Sequence, residues 1–273
     1  MLANVSQNVI TINGGNIHYY RTGSRNKPPL VLVHGFSDNG LCWLPTAQDL
    51  AAEYDIVMPD ARGHGLSARV KEGENTDMTS DLAALIDALG LKHPIVAGHS
   101  MGAGETAQLG ARFPGVARAL ILEDPPYRLP DPSAPKPSVI STGNPFHQWI
   151  ASLPGQTLEQ VMAKASAENP TWSEPVVRYW AEGKRQLDIN IFSTHDNQWG
   201  TWQEIVKAIS VPTLLVTADP EKGGIITPEV AHMMMEMNPK IRLAHIPGTG
   251  HHVRFEDYSA YMAAFRSFLK EIG

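Results

Sequence analysis

Short apolar runs alternate with longer amphipathic stretches through the first half of the chain. The runs NVITI and IHYYRT come first, then PLVLVHG, DIVMPD, PIVAGHS and ALILED. Helical patterns separate the later ones, including one near Thr79 to Leu89 and another directly after PIVAGHS. Such alternation predicts βαβ units on a parallel sheet. The first two runs are joined across Asn13-Gly14-Gly15-Asn16, turn chemistry that predicts an antiparallel hairpin at the sheet edge. After Asp124 the pattern breaks into Pro-rich sequence, PYRLPDPSAPKP, and then helical stretches bearing Trp149, Trp172, Trp180, Trp199 and Trp202. Regular alternation returns at VPTLLVTAD, with a helix near Pro228 to Met237, the strand IRLAHIPG and the amphipathic helix YSAYMAAFRSFLKEI. The expected organisation is one α/β core, residues 1–125 and 206–273, interrupted by a helical cap, or lid, at 126–205.

Composition narrows the class. The 273 residues suffice for one large domain, and 42% hydrophobic with 18% charged residues is an ordinary globular balance. The net charge of -6, with 22 basic residues scattered among 28 acidic ones, leaves no stripe to track phosphates, so nucleic acid is not an expected partner. The start, MLANVSQNVITING, has neither the basic nor the apolar segment of a secretion signal, and no later stretch is long enough to cross a bilayer. A cytoplasmic protein without membrane contact is expected, monomeric or a small homo-oligomer. With Cys42 as the one cysteine, neither an intrachain disulfide nor a cysteine metal cage can form.

The chemistry concentrates at Gly98-His99-Ser100-Met101-Gly102, between the strand PIVA and the helical run GAGETAQLGARF. A strand, a sharp turn and a helix are the context that a G-x-S-x-G nucleophile elbow needs. The turn exposes the hydroxyl, the glycines allow close backbone approach, and the helix N-terminus favours developing negative charge. Serine needs a base at neutral pH, and eleven histidines compete for the task. His251 leaves the last apparent strand after Pro247-Gly248-Thr249-Gly250, ahead of Glu256 and the final helix, and is the expected base. His252 is read as a surface or supporting neighbour, and His64, His93, His99 and His245 as turn, loop or strand residues. The acid that orients the base is expected at Asp219, which ends the strand TLLVTA and gives the chain order Ser, Asp, His. Asp124, after ALILE, is the alternative. The expected oxyanion donors are the backbone amides of Met101 and Phe36, the latter in the loop His34-Gly35-Phe36-Ser37.

Together HGF after the third strand, PDARGHGLS at Asp60 to Ser67, GHSMG, Asp219 and GTGH resemble the α/β-hydrolase fold family over almost the whole chain outside the lid. The resemblance implies a mostly parallel central sheet of about eight strands flanked by helices, with the cap after the sixth strand. It makes the Asp60 to Gly65 turn structural, so Ser67 is no rival nucleophile, and it implies that the lid shapes the pocket. Serine at the elbow sets the chain apart from the dehalogenase and epoxide-hydrolase branches, which use aspartate there. Glu105 on the elbow helix is read as a polar contact beneath the lid, and the lid tryptophans, with Phe146 and Tyr179, as its core or as pocket lining.

Fold alone does not choose the reaction. Hydrolysis of a small or medium apolar ester or lactone is the main expectation, since it asks only for the triad, two amide donors and a pocket, with no metal or organic cofactor. A cofactor-free haloperoxidase or perhydrolase and a C–C bond hydrolase use the same residues. A non-catalytic ligand receptor on the hydrolase scaffold is the reading from a different class.

Overall fold

The structure, a computed structural model, describes residues 4–129, 143–196 and 200–273. Most of the Pro-rich segment and Trp199 lie outside these residues. The chain runs through β1 (Ser6–Ile12), β2 (Gly15–Gly23), β3 (Pro29–Val33), α1 (Leu44–Leu50), β4 (Asp55–Pro59), β5 (Asn75–Thr76), α2 (Met78–Ala88), β6 (Ile95–His99), α3 (Met101–Arg112) and β7 (Ala119–Glu123). It continues through α4 (Pro145–Ser152), α5 (Leu158–Glu168), α6 (Glu174–Gln186), β8 (His195–Asp196) and α7 (Trp202–Ala208). The last part is β9 (Thr213–Thr217), α8 (Pro228–Met237), β10 (Ile241–His245), α9 (Val253–Glu256) and α10 (Tyr258–Ile272).

The central sheet has eight strands in the order β1-β2-β4-β3-β6-β7-β9-β10. The β1–β2 hairpin turns through Asn13 and Gly14, both at positive φ, and β2 pairs antiparallel with β4. Every pairing from β4 across to β10 is parallel. The loops that follow β3, β6, β7, β9 and β10 therefore open at one edge of the sheet. There the chain order reverses about β3, the place where open α/β sheets bind their ligands.

Strand alternation splits the core into two layers. Val31, Val33 and Val96 face the side of α2, α3, α7 and α8, packing with Leu82, Leu85, Ala107, Ile205 and Val230. Leu30, Leu32 and Ile95 face the opposite side, where Trp43, Leu44, Tyr261 and Phe265 cover them. With both faces covered, the strands carry continuous apolar runs, and each fully buried side chain contributes about 1.5–3 kcal/mol. Between β7 and β9 the chain leaves the sheet for α4, α5 and α6, and this segment buries Ile150, Leu153, Val161, Ala181 and Phe192 together with Val70 and Met78 of the core. Trp172 and Val177 pack with Phe255 of the core. β5 and β8 form a separate two-stranded ladder, and α7 packs on α3 and α8.

Candidate active site

Ser100 follows β6 directly and precedes the first residue of α3, with φ 53° and ψ -118°. That backbone conformation costs a non-glycine residue of order 1–3 kcal/mol and persists only where the surroundings impose it. They do so here. A Cβ on Gly98 would stand 2.1 Å from the Gly102 carbonyl oxygen, and one on Gly102 would stand 2.4 Å from that of His34 and 2.5 Å from that of Val33. Both glycines are steric necessities, because the first turn of α3 sits directly on the end of β3. The Ser100 amide donates to the Glu123 carbonyl at 2.9 Å, tying the elbow to β7.

His251 reaches the same edge from the loop after β10. The loop is held at several points. The Gly250 amide donates to Glu256 Oε2 at 2.7 Å, and a Cβ on Gly250 would lie 2.3 Å from the Lys222 carbonyl oxygen. The Arg254 amide and Nη1 donate to the two oxygens of Glu123 at 3.1 and 2.8 Å, so the end of β7 anchors α9. His99 Nε2 donates to the His251 carbonyl at 2.9 Å, and the two imidazole rings are 4.7 Å apart. Through these bonds residue 251 is brought against the residues flanking Ser100. Burial holds the His99 ring well below the usual histidine pKa, so it is neutral there, with the Arg254 charge acting in the same direction.

The carboxylate beside His251 differs from the sequence expectation of Asp219 and is the alternative, Asp124. His251 Nδ1 lies 2.6 Å from Asp124 Oδ2, and the Asp124 side chain is fully buried. The same carboxylate accepts from the Ile225 amide at 2.8 Å and the Ile226 amide at 3.0 Å. Asp219 is not the partner of His251. Its Oδ2 accepts from the Gly248 amide at 2.7 Å and its Oδ1 faces His245 Nε2 at 3.1 Å, so it braces the loop that carries the histidine. The physical reason lies in the tertiary fold. Asp124 adopts a left-handed φ of 43°, and α7 and β9 intervene before the chain returns with the amides that cradle its carboxylate.

Phe36 and Met101 are brought together by the contact of α3 with the end of β3, and their side chains pack on one apolar cluster with Ala61, Phe146, Trp149 and Trp180. The Phe36 ring stands edge-on to Phe192 at 5.4 Å and to His64 at 5.6 Å. Met101 opens α3, where amides point out of the helix end. The loop 34–37 and this helix end thus lie side by side at the sheet edge that carries Ser100.

Two other residues singled out in the sequence also find partners. Glu105 accepts a hydrogen bond from the Thr79 hydroxyl of α2. His252 is half-buried and packs on Trp172 at 5.0 Å and Phe255 at 5.5 Å. The sequence reading missed Lys184 of α6, whose Nζ lies 2.6 Å from Asp38 Oδ1. Nothing near Lys184 in the string could have signalled a partner that far away. Among the described residues no group of three His, Cys, Asp or Glu side chains is arranged to hold a metal ion, and no helix is long and apolar enough to cross a membrane.

A parallel-centred α/β sheet, a serine strained on an elbow and an imidazole paired with a buried carboxylate together have the architecture of an α/β-hydrolase. The chain belongs to the alpha/beta hydrolase family, whose profile matches residues 30–265. It is similar to N-formylmaleamate deformylase of Pseudomonas putida, 28% identical over 271 residues that cover 95% of each chain. It is also 30% identical to a non-heme chloroperoxidase of Burkholderia pyrrocinia over 234 residues, 78% of this chain and 82% of that one. Among solved structures, an esterase from Rhodococcus sp. superposes with a TM-score of 0.77 at 20% identity, covering 99% of this chain and all of that one. E-2-(acetamidomethylene)succinate hydrolase does so with a TM-score of 0.76 at 19% identity, covering 97% and 99%. At such identities the structural likeness shows the fold, and the family and its hydrolase relatives make the chain a hydrolase.

Proposed function

We propose that the chain cleaves small or medium apolar carboxylic esters or lactones through an acyl-enzyme, with Ser100 as nucleophile, His251 as base and Asp124 as the acid that orients it. The 2.6 Å contact of His251 Nδ1 with buried Asp124 carries the reading. It requires a proton on Nδ1 and so leaves Nε2 as the acceptor for the serine proton. Attack by Ser100 Oγ on the substrate carbonyl builds an oxyanion that the amides of Phe36 and Met101 stabilise. His251 then gives the proton to the leaving alcohol, and the acyl group stays on Ser100. A water deprotonated by His251 releases the acid and restores the serine. Phe36, Phe146, Trp149 and Trp180 form the apolar surroundings that support a nonpolar substrate.

A second reading is hydrolysis of a small N-acyl amide. The match to the deformylase over 95% of both chains favours it. A kcat/KM series of p-nitrophenyl esters of rising chain length, beside lactones and N-formylmaleamate, separates the two. Esters should lead, and a lead for N-formylmaleamate of more than tenfold would install the amide reading. A fluorophosphonate should label the wild-type chain and not Ser100→Ala. No labelling of the wild type would sink both readings and favour a receptor on this scaffold.

A further inference from the structure

Two residues after Phe36 the chain meets α6, an element 146 residues further along the sequence. Lys184 Nζ and Asp38 Oδ1 form a buried ion pair at 2.6 Å, with 4% and 1% of their side chains exposed. One residue earlier, Gly183 lies flat on the loop, and a Cβ there would stand 3.0 Å from both Cα and C of Asp38. Two residues later, Gln186 Oε1 accepts from Asn39 Nδ2 at 2.8 Å. The end of α6 therefore grips residues 38 and 39 at three points. The gripped segment continues the turn in which the Asp38 amide donates to the Gly35 carbonyl at 3.1 Å, and Ser37 within that turn has a left-handed φ of 67°. The Lys184 ammonium also sits 4.5 Å over the Trp180 ring, so its place is fixed from both sides.

We propose that Lys184 is a positioning residue for the reaction: by pairing with Asp38 it locks the turn that aims the Phe36 amide at the oxyanion, making the oxyanion site depend on docked α6. This rests on the serine acyl-transfer reading above. A buried pair stabilises poorly compared with apolar packing of the same volume, but it fixes geometry, because displacing either charge in a dry site breaks the 2.6 Å contact without water to replace it. The strained turn at Ser37 is the element that would relax when the grip is lost. Burial alone would raise the Asp38 carboxyl, but the Lys184 ammonium, with the Arg254 guanidinium adding to it, holds its pKa below the usual value.

The test uses the double variant Asp38→Ala/Lys184→Met, which removes both charges together so that neither is stranded. Lys184→Gln, which keeps a donor at that position, is measured beside it, and folding of each is checked by near-UV circular dichroism. Three quantities are read: kcat and KM for an ester, and affinity for an alkyl boronic acid, whose serine adduct places an oxygen in the oxyanion site. In the double variant kcat should fall roughly 10- to 100-fold, less than the loss from removing an oxyanion donor outright. Boronate affinity should fall in parallel, and KM should change less than about threefold, since ground-state binding is spared. Lys184→Gln, which leaves the buried Asp38 carboxylate without its cation, should lose at least as much kcat as the double variant and unfold at a lower temperature, and wild-type kcat in this variant would likewise overturn the inference. A folded variant with wild-type kcat and boronate affinity, in a background where Ser100→Ala is inactive, overturns this inference alone. Ester turnover that survives Ser100→Ala overturns the acyl-transfer reading and this inference together.

Discussion

Asp124 and Asp219 end neighbouring parallel strands, β7 and β9, at the same edge of the sheet, and the two carboxylates are held in different ways. Asp124 is sealed from solvent, with two backbone amides and the His251 imidazole filling its acceptor positions. Asp219 keeps 18% of its side chain exposed, and its partners are a loop amide and the half-exposed ring of His245. In dry surroundings a carboxylate acts on an imidazolium with little screening, and its satisfied lone pairs keep it in place. At the exposed site both effects are weaker. A strand end can thus offer an acidic residue without offering an orienting acid, and the amides around it make the difference.

The broadest perturbation removes what either acid would serve: Ser100→Ala should cut turnover about 10⁵- to 10⁶-fold in an ester assay. Asp124→Asn keeps the shape but takes away the charge and the correct imidazole tautomer, so kcat should fall about 10⁴-fold with KM little changed. Gly250→Ala drives a Cβ into the Lys222 carbonyl and shifts His251 relative to Asp124. Displacement of this kind can cost about 10²-fold, and kcat with thermal unfolding would read it. The smallest catalytic effect is expected from Asp219→Asn, which should stay within about threefold of wild type and lower the unfolding temperature slightly, in line with a partly exposed loop contact.

Acid pH can imitate a catalytic titration, and folding must be separated from it. Burial lowers the pKa of His34, and burial with the neighbouring His34 charge lowers that of His64 to about 3. His34 Nε2 accepts from the Ala61 amide at 2.9 Å, a bond that protonation would destroy. The unfolded chain binds these protons more readily than the folded one. Stability is therefore fully present above about pH 6.5 and declines as pH falls below it, the His64 contribution being lost progressively toward about 3. Unfolding temperatures measured from pH 7.5 to 5 should decrease, and a flat profile would contradict this.

The sheet was legible because strands covered on both faces must be apolar throughout, and α2 (Met78–Ala88) and α8 (Pro228–Met237) fall within a residue of their expected positions. Ser100 was legible as a strand-turn-helix junction because the whole geometry lies within five adjacent residues. His251 is set by a similarly local glycine turn. Which of the two named aspartates pairs with His251 was not legible. The left-handed φ of Asp124 and the amides of Ile225 and Ile226, some 100 positions away, belong to the tertiary fold. The Lys184–Asp38 and Glu105–Thr79 contacts were hidden for the same reason, since a helical lysine or glutamate carries no local mark of its distant partner.

The most direct measurement of the central claim is the second-order rate of fluorophosphonate labelling at Ser100, taken side by side in Asp124→Asn and Asp219→Asn. With Asp124 orienting His251, labelling should slow by about three orders of magnitude or more in the first variant and remain near wild type in the second. Wild-type labelling in Asp124→Asn, with loss in Asp219→Asn, would contradict the account.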